Sequence, residues 1–144
     1  MIEEAYVSFE IAKLLKEKGF NEYCWKLYEL GDCDIPVLLN GFELSEESSF
    51  WNNKYLELYK KEHCYINDIC SAPTHQMAMK WLRETYDVYI VPKKDFFGGC
   101  YTGRIYDGRR ETITDKDDYI ACSGYNNYEE ATEAAIKYCL ENWI

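Results

Sequence analysis

The stretch Ser71 to Glu84, SAPTHQMAMKWLRE, constrains the fold more tightly than any other segment of the chain. Ser71 is a residue type that accepts a hydrogen bond from the free amides of a first helical turn, and Pro73 stands early, where a missing N–H costs nothing. Met77, Ala78, Trp81, Leu82 and Thr85 then recur at helical spacing on one face, with Lys80, Arg83 and Glu84 on the other. That pattern predicts a helix laid on a core. Tyr86 to Val91 follows at once with aromatic and β-branched residues, and reads as a strand that Pro92 closes at a sheet edge or exit.

Similar cues run through the rest of the chain. Ser8 is the cap of a first helix whose Ile11, Ala12, Leu14 and Leu15 face inward, and Gly19 supplies its left-handed exit. Tyr23 to Tyr28 reads as a strand followed by a turn through Gly31-Asp32, and Asn40-Gly41 within Ile35 to Leu44 is a hairpin signal. Ser45 to Ser49, with Asn52-Asn53 just beyond, reads as a flexible polar loop. Tyr55 to Tyr59 and Cys64 to Ile69 read as short strands, although the first equally fits a helical turn. Glycines at 98, 99, 103 and 108 punctuate strands over Phe96 to Tyr106 and Tyr119 to Ser123, with a hairpin candidate at Asp107-Gly108. Asn127 then caps a closing helix that turns Ala131, Ala135, Ile136, Cys139, Leu140 and Trp143 inward.

These elements predict an α+β fold: an antiparallel β-sheet with three helices, the C-terminal half in α-β-β-β-α order with its helices on one face. The 144 residues suit one domain with a true core, so residues 1–144 are read as a single domain. The same element order occurs in double-stranded RNA-binding domains. Here the closing helix opens with Glu129-Glu130, where an RNA reader needs cations, and element order by itself carries no function.

The Ser8 to Phe20 helix, the Ser71-Ala72-Pro73-Thr74 opening with Trp81-Leu82-Arg83-Glu84, and the closing Tyr128-Glu129-Glu130-Ala131 helix resemble a group of short uncharacterised proteins. That group comes from Bacteroides-type gut bacteria and their phages and mobile elements. The resemblance covers residues 6–30 and 70–144. It implies a phage-related genomic setting and no site, because the group brings no activity with it. Residues 31–66 depart from its pattern, and His75 stands where the pattern has Gln.

Apolar residues make up 47% and aromatic residues 17% of the chain, far from the low-hydrophobicity signature of disorder. The 7 cysteines are odd in number and several sit inside apolar runs, so free, mostly buried thiols are expected rather than a disulfide framework. The acidic start Met1-Ile2-Glu3-Glu4 is unlike a leader and no apolar run reaches the length of a membrane span, which predicts a cytoplasmic protein without membrane contact. A net charge of −10 argues against general affinity for nucleic acid. Even so, Lys93, Lys94, Arg104, Arg109 and Arg110 lie close in sequence and form a candidate binding patch.

Catalytic and metal chemistry find little support. His63, Cys64, Cys70 and His75 are the only cluster of soft ligands, and the six-residue step from Cys64 to Cys70 does not match a zinc knuckle. No local feature marks a thiol as activated toward a histidine. Gly98-Gly99 and Gly103 lack the Lys and Ser/Thr of a phosphate loop. The acidic pairs Glu46-Glu47, Asp117-Asp118 and Glu129-Glu130 fit solvated turns and helix starts. No catalytic residue, metal or cofactor is therefore expected, and an enzymatic reading would require His63 or His75 in a pocket beside a cysteine or carboxylates.

The 14 tyrosines are more than a core of this size hides. Tyrosine carries apolar area with a polar tip and is enriched at interfaces, although a wet sheet face also accommodates it. The expectation is a small non-catalytic interaction or accessory protein that binds a protein partner or itself. The alternative is a nucleic-acid-related module, with the 93–110 cations on phosphates or the acidic surface mimicking DNA to block a DNA-binding enzyme.

Overall fold

The structure is a computed structural model, and it describes residues 4–95, 98–108 and 119–144. The fold is α+β, with two antiparallel three-stranded sheets and four α-helices among the described residues rather than one sheet and three helices. The chain divides into two compact units, Tyr6–Thr74 and His75–Ile144, the latter including the described residues ahead of Tyr6.

The Tyr6–Thr74 unit contains α1 (Phe9–Glu17), β1 (Lys26–Leu30), β2 (Val37–Asn40), a 3-10 turn at Gly41–Glu43, α2 (Asn53–Glu62) and β3 (Asp68–Ala72). Ser8 caps α1 as its sequence predicts, its Oγ accepting from the Ile11 N–H at 3.3 Å. Gly19 takes the left-handed conformation at φ 95°. The strands run in the order β2-β1-β3. Register places Leu27 opposite Leu39 and Ser71, and Tyr28 opposite Leu38 and Cys70. Because side chains alternate, Leu27 and Ile69 share one face and meet Leu56 of α2 and Ile66 in the core. Tyr28 looks the other way, its ring edge-on to Phe9 of α1 at 5.6 Å and its hydroxyl donating to the Val7 carbonyl at 2.7 Å. The unit closes where Tyr6 bridges Thr74 and the Val7 N–H reaches the Pro73 carbonyl at 3.1 Å.

Several expectations in this unit are corrected. Tyr55 to Tyr59 is helical, part of α2, because Asn52 caps it through the Tyr55 N–H and buries Leu56 at helical spacing. Asn52 and Asn53 are buried, not loop tips. The β1–β2 hairpin turns at residues 31–36, so Asn40-Gly41 ends β2 instead of reversing it. Ser71 lies within β3 and caps nothing; its N–H donates to Asn53 Oδ1 at 2.8 Å.

The His75–Ile144 unit runs α3 (His75–Tyr86), β4 (Val88–Lys94), β5 (Tyr101–Asp107), β6 (Tyr119–Tyr125) and α4 (Tyr128–Asn142), the predicted α-β-β-β-α order. The sheet is a meander, β4-β5-β6. Paired Ile90 and Ile105 are buried beneath the helices, whereas Tyr89 and Val91, on the opposite face, are exposed. Pro92 lies inside β4 opposite Gly103, tolerated because β4 is an edge strand. Gly103 is where α4 crosses: a Cβ there would stand 2.6 Å from the Ala131 carbonyl oxygen and 2.8 Å from Ala135 Cβ. Asn127 caps α4 through the Glu130 N–H at 2.8 Å, and Glu130 reaches back to the Asn126 N–H at 3.3 Å. Phe96, Phe97 and residues 109–118, with Asp117-Asp118 among them, lie outside the described residues.

Candidate functional site

Residues 31–66 build the most unusual surface of the Tyr6–Thr74 unit. After β2 the chain makes its 3-10 turn, runs through a polar stretch, and returns at Trp51, whose backbone pairs with Cys24 in both directions at 2.9 and 3.0 Å. Gly41 sits against Ser49 so closely that any Cβ would collide with the Ser49 carbonyl, and Trp51 Nε1 donates to the Gly41 carbonyl at 3.0 Å. Residues 41–50 thus form a compact loop with adjoining ends, an Ω-loop.

That closure brings three aromatic side chains together. Trp25 meets Phe50 at 5.1 Å and Phe42 at 6.5 Å between ring centroids, with the rings crossing at 70° and 65°. All three are exposed, Trp25 by 42%, Phe42 by 49% and Phe50 by 53%, which for adjoining aromatic residues makes a continuous apolar surface. Tyr23, two residues from Trp25, extends the surface to Tyr55 of α2, the rings 6.2 Å apart. A second row follows through Trp51, Tyr59, His63 and Tyr65, with Tyr59 and His63 stacked at 3.9 Å. Desolvation, then the neighbouring Tyr65 hydroxyl, pushes the Tyr59 phenol up to about 12.

Both outer edges of this sheet are blunted. On β3, the Ile69 N–H goes to Asp68 Oδ1, its carbonyl to Lys16 Nζ, and the Ser71 N–H to Asn53. Lys16 also pairs with Glu57 of α2, so the β3 edge is covered by side chains from both helices. On β2, the Gly41 N–H bonds the Trp25 carbonyl, which fixes the ladder phase and turns Leu38 and Asn40 outward. The Asn40 N–H is taken by Glu43 at 2.7 Å, and Pro36 has no N–H to offer. Among the described residues Leu38 alone leaves an N–H open along that edge, too little for a partner strand to add.

The residues singled out from the sequence are dispersed. Lys93 on β4 and Arg104 on β5 share the face of their sheet opposite α4 with Tyr89 and Tyr106. Lys94 points to the opposite face, its ammonium 5.9 Å from the Tyr101 ring centroid. Arg109 and Arg110 lie outside the described residues. His63 Nδ1 stands 2.8 Å from the Tyr59 carbonyl, and buried His75 Nε2 stands 2.5 Å from Glu133 Oε2, an α3–α4 tie within its own unit. All seven cysteines are free. Only Cys24, Cys70 and Cys139 are buried, and burial pushes each of these thiols up to about 12, the reverse of what a nucleophile requires. Among the described residues no group of three His, Cys, Asp or Glu side chains is placed to hold a metal ion. No helix of the described residues is long and apolar enough to cross a membrane.

Comparison of the chain with protein-family models, with curated proteins and with solved structures finds no match. Sequence reasoning missed Trp25, Phe42 and Phe50, since it looked to the tyrosines. The signal that could have found them was two phenylalanines flanking a loop that is polar apart from Leu44.

Proposed function

We propose that this protein is a small non-catalytic interaction or accessory protein of the cytoplasm, and that it binds a protein partner through the Trp25–Phe42–Phe50 surface. The observation that carries the reading is the exposure of three mutually packed aromatic rings on a closed loop. Burying apolar area is worth about 25 cal/mol per Å², and an aromatic side chain offers on the order of 150–250 Å². Leaving three such rings half in water is costly unless a partner covers them. Their crossing angles of 65° and 70° support a knob that fills a protein pocket, because bases stack on flat, accessible ring faces. The blunted sheet edges direct recognition to side chains.

The test is affinity purification of the tagged protein from its host after nuclease treatment, in parallel with a Trp25→Ala variant. A stoichiometric protein, or a second copy of the chain, that is retained by the native protein and lost with the variant is the expected result. Equal recovery with both would overturn the reading.

A nucleic-acid-related role is the second reading, supported by Lys93 and Arg104 sharing one sheet face with Tyr89 and Tyr106. It predicts nuclease-sensitive recovery that weakens steeply with salt and with Lys93→Ala.

A further inference from the structure

The loop that presents Phe42 and Phe50 also fixes the charge around them. Between these two residues stand Glu43, Glu46 and Glu47, with no Lys, Arg or His, and all three carboxylates are exposed. Glu22, next to Tyr23, adds a fourth exposed carboxylate on the strand side. Because Gly41 and Ser49 close the loop, none of the three loop carboxylates can move far from the aromatic cluster. The cations that neighbour these residues in sequence are differently placed. Lys26 lies over the Tyr6 ring at 4.6 Å, and Lys54 starts α2 beside Tyr55, at the far end of the surface from Phe42. The patch therefore has an aromatic centre and an acidic rim.

From this complementarity we infer that the Trp25–Phe42–Phe50 surface takes a basic, apolar segment of another protein, with arginine the preferred cation. The inference rests on the interaction reading above and names its partner class. Leucine or aromatic side chains of the partner form the pocket that receives Trp25 and Phe50. The partner's guanidinium groups pair with Glu46 and Glu47, and arginine's planar fork meets two neighbouring carboxylates better than the lysine ammonium does. An acidic partner would set like charges across the rim, which costs affinity and slows encounter. Glu43 is held by the Asn40 N–H, so it shapes the loop as well as charging it. Glu46 and Glu47 carry no such structural duty through their side chains.

The experiment is selection of a random 12-residue peptide library on the immobilised full-length protein, followed by affinity measurement of the enriched peptides. Four proteins are compared: native, Trp25→Ala, Phe50→Ser, and the Glu46→Gln/Glu47→Gln double variant. Enriched peptides should carry an excess of arginine together with Leu, Phe or Trp. Their affinity should fall more than about tenfold with Trp25→Ala or Phe50→Ser. It should fall roughly fivefold or more with the Glu double variant, and on raising salt from low to high. Circular dichroism identifies any variant that fails to fold, and Phe50→Ser, at the most exposed of the three rings, is the second route to the answer. Peptides that depend on Trp25 and Phe50 but show no excess of cations and no loss with the Glu variant would overturn this inference and leave the interaction reading standing. Peptides indifferent to both aromatic variants, or no enrichment at all, would overturn both.

Discussion

Two buried polar residues in contact through one hydrogen bond should respond to alanine in opposite directions. Asn53 is 6% exposed, donates from Nδ2 to the Phe20 carbonyl at 2.7 Å and accepts the Ser71 N–H at 2.8 Å. It thereby ties the exit of α1, the start of α2 and the edge of β3. Asn53→Ala strands a carbonyl and an amide at residues only 1% exposed. An unsatisfied buried group costs about 1–3 kcal/mol, so the substitution should cost roughly 2–5 kcal/mol, a large share of a typical stability of 5–15 kcal/mol. Ser71 differs. Among the described residues its buried Oγ makes no well-formed hydrogen bond; its polar neighbour is the Cys24 sulfur, which it would hydrogen-bond in the thiolate form and not in the protonated form present at neutral pH. Ser71→Ala removes a desolvated hydroxyl and leaves the backbone bond to Asn53 intact, so it should be neutral or stabilise by up to about 1 kcal/mol. Pulsed thiol labelling in urea, read by mass spectrometry at the buried Cys24 and Cys70, reports opening of the Tyr6–Thr74 unit. A Ser71→Ala variant destabilised as much as Asn53→Ala, or an Asn53→Ala cost below about 1 kcal/mol, would refute the assignment of these bonds.

Other perturbations test the remaining structure. Cys24 and Cys70 are pushed from 9.0 to about 12 by burial, so their protonated form is favoured by folding. Their contribution is complete below about pH 9 and is lost as pH rises toward 12, roughly 1.4 kcal/mol per thiol per pH unit. Thermal unfolding should fall steeply above pH 9 and less steeply in Cys70→Ala; equal slopes would count against burial as the cause. Gly103→Ala should push α4 off its sheet and destabilise by about 1–3 kcal/mol in urea unfolding, because the clash is with backbone. Gly41→Ala should open the loop at Ser49, separate Trp25 from Phe50 and abolish partner binding while leaving α3, the β4–β6 sheet and α4 protected in hydrogen exchange.

Local signals were legible wherever the physics was local. Ser8, Gly19, Asn127 and most inward positions of α1 and α4 follow from capping and 3.6-residue spacing, and the structure places them accordingly, with Leu14 and Trp143 only half-buried. The errors occur where a residue's partner is distant in sequence. Ser71-Ala72-Pro73-Thr74 has the composition of a helix start, but the Ser71 amide is claimed by Asn53, 18 residues away. Asn52-Asn53 has the composition of a loop, yet Phe20 and Ser71 bury Asn53. Tyr-Leu-Glu-Leu-Tyr alternates with a period of two and also fits a helical face, and the Asn52 cap decides between them. The site was least legible of all. Trp25, Phe42 and Phe50 come from three places in the chain, and their convergence depends on the Gly41–Ser49 closure that no periodicity encodes.

The central claim is that the aromatic loop surface is covered by another protein in the cell. A photoreactive phenylalanine analogue placed at position 50, and at Tyr128 on α4 as a control, measures this in the native host whatever the partner's identity. Irradiation should give a discrete covalent adduct from position 50 and none from position 128. Absence of an adduct at position 50, or the same adducts from both positions, would contradict the account.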